Sequence, residues 1–143
     1  GILVITTPQD VASNVAVKAV SMFEKLNVPI IGVIENMSHF ICPKCDDKHY
    51  IFGNGGAKKI SEQFKIPFLG EIPLNYGIMS GSDSGKPIMN TNTDSPSAEA
   101  FRASAKNVAA QCSIIASNLQ EEMESESGES ESSDEDSTNN GTS

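Results

Sequence analysis

The sequence has no tryptophan, only three cysteines, and no apolar run approaching the roughly 18 residues that a membrane span requires. It also lacks an excess of basic charge: ten Lys and Arg stand against nineteen Asp and Glu. Without a basic patch or tryptophan, the chain carries no footprint of a nucleic-acid binder. Sparse, odd-numbered cysteine excludes a disulfide framework and suits a reducing compartment. The cytoplasm is the first expectation, with a mitochondrion or plastid left open. No secretory leader is legible, because the apolar residues 2–5 are few and lack a basic lead-in. Neither a membrane nor a nucleic acid is therefore an expected partner.

The charge that is present is unevenly placed. Residues 1–120 hold ten basic and ten acidic side chains, whereas residues 121–143 hold nine acids and no Lys or Arg. The net charge of −9 therefore belongs wholly to the end of the chain. That end is Ser, Glu, Asp, Asn, Gly and Thr with a single Met, a composition that buries too little apolar area to fold. The expected division is a folded unit over residues 1–119 and a disordered acidic tail over 120–143. A chain of 143 residues suits about one domain.

Inside the folded part, residues 2–5 read as a buried parallel strand opening into Thr6, Thr7, Pro8 and Gln9. From Asp10 the period turns helical, with an apolar stripe of Val11, Val15, Ala19, Met22, Phe23 and Leu26 that ends before Pro29. Residues 30–34 form the next strand, which ends in Glu35 and Asn36. A parallel sheet presents its ligand-binding edge at such a point. Residues 50–52 are a short extended piece, 57–64 a helix and 67–73 a third strand. Residues 75–85 read as a loop with a helical turn. Ser95 caps a last helix starting at Pro96, with Phe101, Ala105, Val108, Ala109 and Cys112 on its buried stripe. Two successive βαβ units define an α/β fold, a parallel sheet with flanking helices. Gly1 leads straight into a strand, so that strand is expected to belong to a larger sheet and to have an unpaired edge here.

The chemistry concentrates in Cys42-Pro43-Lys44-Cys45, which sets two thiolates on one tight turn. Thiolates are the preferred ligands of zinc and iron–sulfur clusters. Two ligands are too few for either, and three completions are open. A second chain facing the first supplies two more cysteines for one 4Fe–4S cluster. His39 and His49 complete a zinc site within one chain. The pair works as a thiol–disulfide motif, although no helix starts after it to lower a thiol pKa. The plainer reading of both histidines is exposed loop residues, and of Cys112 a core cysteine. Asn36 offers an amide that can read a base edge, or merely a turn. The glycines at 53, 55 and 56 are not followed by the Gly-Lys-Ser/Thr of a phosphate loop.

Seven segments then agree together: VITTPQDVA (4–12), GVIENMS (32–38), CPKC (42–45), IFGNGG (51–56), PFLGEIPL (67–74), GKP (85–87) and DSPSAEAF (94–101). In order and spacing they resemble the Mrp/ApbC family of iron–sulfur carrier P-loop ATPases, within the MinD/nitrogenase-iron-protein class. The resemblance covers residues 1 to about 118. It implies that Cys42 and Cys45 ligate a 4Fe–4S cluster bridging a homodimer, or a heterodimer with a related subunit, for delivery to apo iron–sulfur proteins. It also implies that Asn36 contacts adenine, with Pro73 beside the base. The family's Walker A loop, its lysines and its Mg²⁺-binding hydroxyl are absent from this sequence. What stands here resembles the carboxyl-terminal half of such a protein, so ATP and Mg²⁺ binding are expected only with the other half. By itself the chain is expected not to hydrolyse ATP. A zinc-binding interaction module and a metal-free MinD-like regulatory partner are the alternatives.

Overall fold

The computed structural model describes residues 1–129. Two βαβ units organise it. Strand β1 (Ile2–Thr6) leads into helix α1 (Asp10–Lys25), which returns to β2 (Ile30–Ile41) parallel to β1. Helix α2 (Gly56–Phe64) connects β2 to β4 (Phe68–Leu74), again parallel. The central strand is β2, with β1 on one side and β4 on the other. A two-residue strand, β3 (Lys48–His49), pairs antiparallel with the far end of β2. Helices α3 (Tyr76–Asp83), α4 (Ile88–Thr91) and α5 (Pro96–Glu129) follow.

Alternation along the strands builds two apolar layers, because successive side chains point to opposite faces. Val4 and Val33 join Ala16, Val20, Ala57 and Ile60 under α1 and α2. Ile34, Leu69 and Ile72 face the other way, with Phe101 and Val108 of α5 packed on them. Gly70, in β4 with φ +153°, is where α5 comes closest: a Cβ there would collide with Ser104 Oγ. Asn107 fastens the same helix by donating to the Leu69 carbonyl at 2.9 Å. Ser95 caps α5 as expected, its Oγ accepting from the Ala98 amide at 3.2 Å.

Several expectations need correction. β2 does not stop after residue 34 but runs on to Ile41, so Glu35 and Asn36 lie within it. Residues 50–52 are not a strand; the pairing falls earlier, at Lys48 and His49. The inner line of α1 is Ala16 and Val20, whereas Val11, Val15, Met22 and Leu26 of the expected stripe are exposed. Among the described residues β1 is an edge strand, so nothing lies over that flank of α1. Residues 75–85 hold a full helix, α3, whose Asn75 Oδ1 accepts from the Gly77 amide at 2.7 Å. Helix α5 continues past residue 119 to Glu129, since glutamates propagate a helix already nucleated and packed. The rest of the expected tail, residues 130–143, lies outside the described residues. No described helix is long and apolar enough to cross a membrane.

Candidate metal centre

The overshoot of β2 positions the cysteines. Its parallel ladders end at Glu35 on the β1 side, and on the β4 side the register slips between Asn36 and Phe40. Met37, at φ +55°, marks the break. Beyond it the strand continues as one arm of a hairpin, with Phe40 opposite His49 and Ile41 opposite Lys48. The Cys42 amide donates to the Asp47 carbonyl at 3.0 Å, and the Asp46 amide donates back to the Cys42 carbonyl at 2.9 Å. Asp46 takes the left-handed conformation that tightens this turn (φ +59°).

The loop between carries the chemistry. The backbone amide of Lys44, and next that of Cys45, hydrogen-bonds to the Cys42 sulfur and holds this thiol below the ordinary range; the Cys45 thiol adds to the effect, while desolvation and Asp46 oppose it. Cys45 is exposed and Cys42 half-buried, and neither is in a disulfide. The ligand atoms of Cys42, Cys45 and His49 all lie within 4.8 Å of one another. Two thiols, amides directed at one sulfur and an adjacent imidazole form a donor set suited to a soft or borderline metal.

His39 does not join this group. It is buried, at 6 % exposure, shares a 2.6 Å hydrogen bond with Ser38 Oγ, and stands 3.9 Å from Glu71. Desolvation, then Lys48, pushes its pKa down, against weaker opposition from Glu71 and Glu35. The reading of His39 as an exposed loop residue is thus corrected, and the four-ligand zinc set with both histidines is not assembled. Cys112 is also corrected: it is exposed on α5 and is not part of the core.

The residue that sequence reasoning passed over is Glu35. It is 1 % exposed, and its Oε2 accepts a 2.8 Å hydrogen bond from the Ala57 amide at the start of α2. Helix α2 begins at Gly56, and the Gly55 before it has no side chain to cap it, so its free amides need an acceptor from elsewhere. That missing cap was the signal that could have pointed to Glu35. Beside it, Lys58 pairs with Glu71 at 2.8 Å, and this hydrogen bond raises the lysine's pKa. These contacts tie α2, β2 and β4 together at the root of the hairpin.

Asn36 and Pro73 do come together. Both line a groove of about 250 Å³ with Met37, Leu74, Ile78 and Met79. Asn36 Oδ1 accepts from the Met37 amide at 3.0 Å, and among the described residues its side-chain NH₂ makes no hydrogen bond. The groove and the cysteines are at most about 20 Å apart along β2, at roughly 3.3 Å per residue.

Fold and site together define an α/β protein with a mainly parallel sheet and a hairpin whose two cysteines and one histidine could hold a metal ion. A family model described as NUBPL iron-transfer P-loop NTPase, within ParA, matches residues 1–109, and the chain belongs to that family. It is 46% identical over 115 residues to the iron–sulfur cluster transfer protein NUBPL of Dictyostelium discoideum, a match covering 80% of this chain and 36% of that protein. It is 42% identical over 108 residues to a mitochondrial iron–sulfur protein required for NADH dehydrogenase in Arabidopsis thaliana, covering 76% and 34%. Among solved structures it is similar to a nucleotide-binding protein of Archaeoglobus fulgidus in complex with ADP, in which Co was found. That match has a TM-score of 0.51 at 36% identity and covers 59% of this chain and 35% of that one. MinD of Pyrococcus furiosus shares the fold, with a TM-score of 0.55 at 22% identity over 76% of this chain and 42% of that one. The chain spans about a third of the length of the curated relatives it matches.

Proposed function

We propose that this chain is the cluster-holding part of an iron–sulfur cluster carrier, with the cluster as cargo on Cys42 and Cys45. The observation that carries this reading is the hairpin: β2 runs on past its ladder with β1, pairs with β3, and sets both thiols in the turn between them. Two such tips facing each other supply four thiolates, the set for one 4Fe–4S cubane. The second tip comes from another copy or from a related subunit. Because each subunit holds half of the ligands, separation releases the cargo to apo iron–sulfur recipients. The names of the relatives, carriers and transfer proteins, support this reading over a zinc-binding interaction module.

Asn36 and Pro73 form the adenine side of a nucleotide site. The Asn36 amide is the base reader, and the apolar groove wall beside Pro73 packs on the ring. The sequence contains no Gly-Lys-Ser/Thr to cradle phosphates, so phosphoryl transfer is assigned to no residue here. Reducing conditions suit free thiols, and the reading places the protein in the cytoplasm or an organelle matrix.

The test is anaerobic reconstitution with iron and sulfide, followed by visible absorbance, iron counting and native mass. Brown protein with about four irons per dimer is the expected result. The Cys42→Ala/Cys45→Ala variant should remain colourless. A folded, colourless wild-type chain, or a variant that keeps its iron, would sink the reading.

A further inference from the structure

Cys42 and Cys45 are not the only donors at the tip. Phe40 lies opposite His49, Ile41 opposite Lys48, and at the turn the Cys42 amide bonds to the Asp47 carbonyl. Side chains two apart on a strand share a face, so Cys42 and His49 are diagonal neighbours on one face of the hairpin. The turn closed by Asp46 brings Cys45 back to the same place. A tetrahedral ion, with sulfur at about 2.3 Å and nitrogen at about 2.0 Å, keeps its ligands roughly 3.5–3.8 Å apart. Here 4.8 Å is the outer separation within the trio, so side-chain rotation alone closes it.

We propose that a single chain holds one borderline divalent transition ion, of the Zn²⁺, Co²⁺ or Fe²⁺ class, on Cys42, Cys45 and His49, with the fourth position open to solvent. The inference rests on the reading that this hairpin is the metal-carrying element, and it adds a state in which the subunits are apart. A lone pair of thiolates is an incomplete site; an imidazole makes it a three-ligand site of the open kind. Since His49 sits on an exposed two-residue strand, it can turn away when a second chain brings two thiolates. His49 would thus guard the thiolates between cargoes without competing for the assembled cluster.

The test is an anaerobic Co²⁺ titration of the 143-residue chain, read by visible absorption, with the stoichiometry taken from native mass. Wild type should bind about one cobalt per chain, with thiolate charge-transfer bands and the visible bands of a four-coordinate ion. His49→Ala should weaken binding by more than about 100-fold, beyond the range typical of losing an outer-shell partner. His49→Cys should restore it, and Cys42→Ala/Cys45→Ala should abolish the charge-transfer bands. Circular dichroism checks that each variant is folded; His49 is exposed, so its replacement leaves the core untouched. Cobalt affinity unchanged in His49→Ala, or one ion held between two chains, overturns the inference. Cluster reconstitution on the same samples separates the two ideas. A brown wild type whose cobalt binding ignores His49 refutes the three-ligand site alone, whereas a folded wild type that takes neither metal refutes the carrier reading as well.

Discussion

Glu35 is sealed beneath the first turn of α2, where the amides of a helix start gather partial positive charge. A carboxylate there satisfies an orphan donor and meets the helix dipole at once. Glu35→Ala is expected to lower stability by about 1–3 kcal/mol, the range for removing one partner of a buried hydrogen bond. Glu35→Gln keeps an acceptor oxygen and should lose less. Urea denaturation of the three proteins measures both, and an Ala variant with an unshifted midpoint would remove the anchoring role. At this scale the sequence was only partly legible. Cys42 and Cys45 announced themselves, because two thiols three apart have few other uses. Glu35 did not, and although both histidines were candidate ligands, nothing local told His49 from His39, since burial and diagonal proximity depend on where a strand ends and how a hairpin registers.

Helix α2 depends on contacts made before its first full turn. A Cβ on Gly56 would stand 2.6 Å from Ser13 Oγ and 2.7 Å from the Pro8 carbonyl, and one of those contacts is backbone. Gly56→Ala should therefore push α2 away from the loop after β1 and destabilise by about 1–3 kcal/mol, as overpacking does. Gly55, with nothing within 4 Å of a Cβ but φ +76°, tests strain without crowding. Thermal melts of Gly56→Ala and Gly55→Asn should differ, with the Asn variant milder because Asn tolerates the left-handed region. Equal losses would mean that crowding at Pro8 is not the cause. The βαβ units were legible from the switch between strand and helix periods. The length of β2 was not: residues 37–41 mix Met, Ser, His, Phe and Ile, and they form a strand through pairing at Phe40 and Ile41 with β3 and at Phe40 with Leu74 of β4.

Taken whole, the described residues leave one side of the sheet open. β1 pairs only with β2, and Ile5, Val11 and Val15 beside it are 60, 79 and 66 % exposed. Ile5 and Val15 border a mostly apolar groove of about 640 Å³ between β1 and α1. An apolar flank next to an unpaired strand is a template for association. The chain by itself is expected to bind a hydrophobic dye and to associate as concentration rises. Val15→Lys should shift sedimentation toward the monomer without lowering the melting temperature. A strictly monomeric wild type that ignores the dye would contradict this.

The sequence by itself determined the α/β class, the order of its two βαβ units and the thiol pair, because these follow from local periodicity, turn residues and the chemistry of side chains close in the chain. Tertiary structure alone decided which face of α1 is buried, that Cys112 is exposed, that His39 is withdrawn while His49 joins the cysteines, and that Glu35 anchors α2. Each of those depends on which neighbour lies across a sheet or a turn, and that is a property of pairing and packing rather than of any one segment.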